Sequence, residues 1–104
     1  MPEFKTVAKI DELQPGELKQ IELEDGTQIC LANVGGTHYA IGGECTHMGG
    51  PLGEGELDGN IVTCPWHSAE FDVTTGEVQG PPAEENEPKY EVRIEGGDIQ
   101  VGLP

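Results

Sequence analysis

Two short motifs constrain this chain more than anything else in it: Cys45-Thr46-His47 and Cys64-Pro65-Trp66-His67, with sixteen residues between His47 and Cys64. Each brings one thiol and one imidazole together within a few residues. If the four side chains act on one centre, two separate loops must reach a common point. The glycines around the first motif (Gly42, Gly43, Gly49, Gly50, Gly53 and Gly55) let the backbone approach a bound ion closely. The chain has three cysteines, an odd number, and two sit beside histidines, which points to metal binding before disulfides.

The rest of the sequence supplies a scaffold of short strands between tight turns. Phe4 to Ala8 reads as a first strand, ended by Gln14-Pro15-Gly16. Leu18-Ile21-Leu23 and Gln28 to Val34 flank Glu24-Asp25-Gly26-Thr27, and Asp-Gly between apolar runs signals a hairpin. Gly35-Gly36 turns the chain into Thr37 to Ile41. Leu57-Asp58-Gly59-Asn60-Ile61-Val62-Thr63 reads as a further tight hairpin, whose second strand leads into Cys64. Glu70 to Val73 is one more strand, followed by Thr74-Thr75-Gly76. Tyr90-Val92-Ile94 and Ile99-Val101-Leu103 alternate with period two, as half-buried antiparallel strands do. Only Asp11-Glu12-Leu13 suggests a helical turn. The pattern predicts a single all-β domain, 1–104, with 1–41 and 84–104 as scaffold and 42–83 as a loop-rich insertion. A chain of 104 residues with 35% hydrophobic content buries a limited core, so a centre tying distant loops together adds stability.

Charge narrows the partners. Twenty acidic residues against five basic ones give a formal net charge of −15. Such a field repels nucleic-acid phosphates and anionic membranes, and it favours encounter with a partner bearing a basic patch. The plainer reading is a general solubility trait. No secretory leader or bilayer-length apolar run is visible, so the expectation is a cytoplasmic protein.

Two thiolates and two imidazoles suit either a tetrahedral zinc or a [2Fe–2S] cluster with cysteines on one iron and histidines on the other. Zinc sites commonly pair Cys with Cys and His with His, whereas each loop here mixes them as C-x-H and C-x2-H, which favours iron. At these residues the sequence resembles the Rieske iron–sulfur family. The resemblance extends through Cys45 to Leu52, Cys64 to His67, Phe71-Asp72, Thr75-Gly76 and Pro81-Pro82, and with Tyr39-Ala40 covers roughly residues 37–83.

The resemblance implies a Rieske-like antiparallel sandwich or barrel with an inserted cluster-binding subdomain. It also implies one [2Fe–2S] cluster held by Cys45, His47, Cys64 and His67. High-potential members of the family carry a bracing disulfide at the positions of Gly50 and Trp66, and a serine and a tyrosine at those of Ala69 and Phe71. This chain has neither pair, and Ser68 is displaced by one residue. Fewer hydrogen bonds to sulfur make reduction harder, so a potential toward about −150 mV is expected. The combination resembles the ferredoxins of bacterial ring-hydroxylating dioxygenase systems. It implies a monomeric one-electron carrier, not itself a catalyst, between a flavin reductase and a terminal oxygenase. A small subunit of a nitrite reductase or another redox enzyme is the alternative, and a structural zinc module a third.

Several side chains carry narrower expectations. Trp66 packs over the cluster, the alternative being an exposed partner contact. Met48 shields the sulfides, and Pro81-Pro82 cover the centre. Cys30 is a structural thiol, His38 a surface strand residue, and Glu84 to Glu87 a solvated acidic loop.

Overall fold

The computed structural model describes residues 3–24, 26–44, 50–66, 69–80 and 85–103. Its strands are β1 (Glu3–Lys9), β2 (Leu18–Glu22), β3 (Gln28–Val34), β4 (Thr37–Gly42), β5 (Glu56–Asp58), β6 (Ile61–Thr63), β7 (Glu70–Asp72), β8 (Val78–Gly80), β9 (Lys89–Glu95) and β10 (Asp98–Leu103). Two single 3-10 turns, Ile10–Glu12 and Leu52–Glu54, are the only helical elements among the described residues. None of them is long and apolar enough to cross a membrane.

All strand pairs are antiparallel and form two sheets. Six strands follow the order β1-β10-β9-β4-β3-β2, and four follow β5-β6-β7-β8. The larger sheet curls until its end strands face each other across a cleft lined by Lys5 to Val7 and Ile21 to Glu24. The sequence pattern explains the tight hairpins. Val34 pairs with Thr37, so only Gly35 and Gly36 turn the chain, at φ 60° and 97°. Two consecutive positive φ values match the twist of the flanking strands and favour glycine.

Strand β3 shows how the two cores are divided. Ile29 and Leu31 point into the curled sheet with Ala8, Leu13, Ala40, Ile99 and Val101. Cys30 and Ala32 point the other way, into a second core with Ile41, Leu52, Val62, Cys64, Ala69, Phe71 and Val73. Period-two alternation with both faces covered explains why the strand reads as one apolar run. The four-stranded sheet therefore packs on the outer face of the larger one, along β2, β3 and β4.

The structure departs from the sequence expectations in several places. Strand β8 and the Leu52–Glu54 turn were not anticipated, because three-residue elements rich in Gly and polar residues carry no periodicity. Ile94, placed on the inward face of β9 by its alternation, is 46% exposed. Glu87 is buried instead of solvated: its N–H donates to Gly76 O at 2.7 Å while Gly42 N donates to Pro88 O at 2.8 Å, clamping the segment against β4. His38 is half-buried, because its register opposite Asn33 puts it on the face of β4 that carries Ala40. Its Nε2 has no hydrogen-bond partner among the described residues, and burial holds its pKa below the ordinary imidazole range.

Candidate metal centre

Of the four expected ligands, Cys64 is described by the structure, whereas Cys45, His47 and His67 lie outside the described residues, as do Met48, Ser68 and Pro81-Pro82. No group of three or more His, Cys, Asp or Glu side chains converges among the described residues. The site is therefore built from Cys64 and from the chain that flanks the other positions.

Two loops leave the sheets with pinched bases. Leu52 N donates to Gly43 O at 2.9 Å, and Glu44 bridges to Pro51, which closes the first loop at its root. Cys64 N donates to Ala69 O at 2.7 Å, which closes the second immediately after β6. The loops then touch. A Cβ built on Gly50 would lie 2.7 Å from Cys64 Sγ and 3.1 Å from Trp66 Cγ. Glycine at 50 is thus required for space at the sulfur, and its contact with Trp66 brings together the two positions where high-potential family members were expected to carry a disulfide.

Cys64 is 2% exposed and its sulfur accepts a hydrogen bond from Trp66 N at 3.4 Å. A buried cysteine sulfur with a backbone N–H directed at it, in clearance kept open by a glycine, fits a ligand of an iron–sulfur centre. Trp66 is half exposed at 50%, so its ring both contacts Gly50 and meets solvent. Ala69 and Phe71 are fully buried hydrocarbon, with no hydroxyl to offer a sulfide.

Sequence reasoning missed Gln20. From β2 its Nε2 donates to Gly43 O at 3.0 Å and its Oε1 accepts from Gly53 N at 2.7 Å, so one side chain binds both ends of the first loop to the larger sheet. The available signal was a polar residue between Leu18 and Ile21, which alternation alone does not distinguish from a solvated position. Cys30 behaves as the expected structural thiol: burial, reinforced by the negative charge of Glu87, pushes its pKa up to about 12.

Comparison with known proteins agrees with this geometry. The family model described as Rieske [2Fe-2S] domain matches residues 3–92. The biphenyl dioxygenase ferredoxin subunit of Pseudomonas sp. (strain KKS102) is 39% identical over 99 residues, covering 94% of this chain and 90% of that protein. The 3-phenylpropionate/cinnamic acid dioxygenase ferredoxin subunit of Escherichia coli (strain K12) is 39% identical over 89 residues, covering 85% and 84%. Among solved structures, a chain from the complex of reduced oxygenase and oxidized ferredoxin in carbazole 1,9a-dioxygenase superposes with a TM-score of 0.90 at 29% identity, covering 95% of this chain and 92% of that one.

Proposed function

The chain belongs to the Rieske [2Fe–2S] family, and from that premise we propose that it is a soluble, cytoplasmic and monomeric electron carrier between a flavin reductase and a terminal oxygenase. It holds one [2Fe–2S] cluster and is a carrier, not a catalyst. We assign Cys45 and Cys64 to one iron and His47 and His67 to the other, following the ligand replacement that defines Rieske centres. Residues 42–83 form the cluster-binding unit, with 1–41 and 84–104 as its scaffold.

The observation that carries this reading is Cys64, buried at the end of a pinched loop with Gly50 keeping its sulfur clear. The names of the relatives support the destination of the electron. When bound, the cluster supplies a reversible one-electron change. The chain's own residues do the rest. Cys64 fixes one sulfur, the Trp66 N–H stabilises negative charge on it, and Leu52, Phe71 and Val73 exclude water from beneath the loops. As ligands, His47 and His67 would each leave one ring nitrogen free, where a proton could be held or released. The hydrocarbon side chains of Ala69 and Phe71 support a low potential.

The test is the visible absorption and EPR spectrum of the purified protein. A red-brown protein with a low average g value when reduced is expected, and His67→Cys should move the potential downward. A colourless protein holding one zinc would overturn the reading.

A further inference from the structure

All five cationic side chains lie on scaffold strands: Lys5 and Lys9 on β1, Lys19 on β2, Lys89 and Arg93 on β9. Residues 42–83 hold seven acidic side chains and no Lys or Arg. The negative field at that end is therefore uncompensated locally, whereas Lys9 and Lys19 on the scaffold are paired with Asp98 and Glu12.

Beside the Cys64 loop this charge borders a concave surface. One cleft is lined by Glu17, Leu18 and Gly53 to Leu57. A second is lined by Glu54 to Glu56 with Thr63, Cys64 and Pro65. They share Glu54, Gly55 and Glu56, so they form one trough ending at the Cys64 loop. Its floor is closely packed, because a Cβ on Gly55 would collide with the Thr63 carbonyl oxygen. Thr63 pairs with Glu56 on one side and with Glu70 on the other, which continues the acidic row across the small sheet. At the loop end, exposed Pro65 and half-exposed Trp66 give the surface an apolar edge.

We propose that this trough is the docking surface for a redox partner whose contact face is basic, with Lys and Arg meeting Glu17, Glu54, Glu56 and Glu70 and an apolar recess receiving Trp66. The inference rests on the electron-carrier reading and adds the flank on which the partner sits. Charge complementarity selects the partner class and speeds the encounter. The aromatic edge supplies the desolvated anchor that a purely charged surface lacks. A partner seated there lies beside Cys64, which lines the second cleft.

The test uses the cluster-loaded protein with mammalian cytochrome c, a one-electron acceptor with a lysine-rich face, and ferricyanide, an anionic one. Glu54→Gln/Glu56→Gln/Glu70→Gln should slow the bimolecular reduction of cytochrome c roughly threefold to tenfold at low ionic strength. It should converge with the parent at high salt and leave ferricyanide reduction unchanged or faster. Binding of the oxidised protein to zinc-substituted cytochrome c, measured by calorimetry, should weaken in parallel, and Trp66→Ala should weaken it at both salt levels. Glu24→Gln/Glu91→Gln/Glu95→Gln removes the same charge from exposed scaffold positions and should have a clearly smaller effect. Equal effects of the two triple variants would overturn the proposal in favour of net charge alone, and salt-independent binding would overturn it by excluding an electrostatic contact altogether. The cluster's absorption, EPR spectrum and potential are recorded for every variant. A failure of the carrier reading appears there, and a failure of the docking assignment appears with all three intact.

Discussion

Gly50→Ala is the sharpest perturbation that the site offers. The backbone at 50 is not in the left-handed region, so the substitution adds a methyl group and no backbone strain. That methyl would stand 2.7 Å from Cys64 Sγ, short of ordinary van der Waals contact by roughly 0.7 Å, with the Trp66 ring at 3.1 Å closing the other side. Overpacking of this kind costs about 1–3 kcal/mol, equivalent to roughly a 5- to 150-fold change in an equilibrium constant. An unbound thiol can swing away, but one fixed to iron cannot, so the cost should fall on the loaded form. Iron content per chain and thermal unfolding of parent and variant measure it. The expected result is reduced iron content and a loss of about 4–8 °C in midpoint for each kcal/mol. Gly59→Ala provides the contrast. Its φ of 63° strains an alanine by about 1–2 kcal/mol, yet nothing lies within 4 Å of the added methyl, so iron content should not change. Full iron loading of Gly50→Ala with an unshifted midpoint would refute the steric reasoning.

Cys30 and Gln20 give two further expectations. Below about pH 9 folded and unfolded chains both keep the Cys30 proton. Between there and about 12 only the folded chain keeps it, so stability falls with rising pH, at about 1.4 kcal/mol per unit. Urea unfolding across pH 8.5–11 should therefore show a shallower alkaline decline in Cys30→Ala than in the parent, and identical slopes would exclude the thiol as the cause. Gln20→Ala leaves Gly53 N without its acceptor and removes one of the two donors to Gly43 O, Leu52 N remaining, and should cost about 1–3 kcal/mol. Amide exchange at Gly53 should accelerate, and unchanged protection there would show that the bridge does not hold the loop.

How much of this was legible in the sequence depends on the range of the interaction. Turn chemistry is local, so Gly35-Gly36 and the run Leu57 to Thr63 mark hairpins that the structure closes with two-residue connections, Val34 to Thr37 and Asp58 to Ile61. The all-β architecture followed from these turns and the period-two runs. What alternation could not convey is which of two cores a face belongs to. Cys30 was read as a structural thiol, but nothing nearby in sequence links it to Cys64, with which it shares a core. The buried Glu87 was hidden for the same reason: its enclosure depends on Gly76 and Gly42, residues from two other elements. The family resemblance named the candidate ligands and the Gly50–Trp66 pair of positions, and the contact between those two residues supplied a steric reason for the glycine that the motif did not contain.

The shared wall of the two cores explains how so small a chain positions a redox centre firmly. A site that changes charge without changing ligands works best when its surroundings are already arranged for the charge. Strand β3 presents Leu31 to the curled sheet and Ala32 to the small one, so neither core can shift without disturbing the other. Onto that wall the loops are fastened at separate points: by Gln20 at Gly43 and Gly53, by Gly43 O at Leu52, and by Ala69 O at Cys64. Each anchor is a hydrogen bond to backbone, and its geometry is therefore independent of side-chain rotamers on the loop. Gly50 and Gly53 sit where an added Cβ would meet Cys64 Sγ and the Gln20 backbone, so the described end of the first loop lies close against the second loop and β2. Glycine, elsewhere a source of flexibility, contributes rigidity here because its missing side chain allows backbone to pack against sulfur and strand.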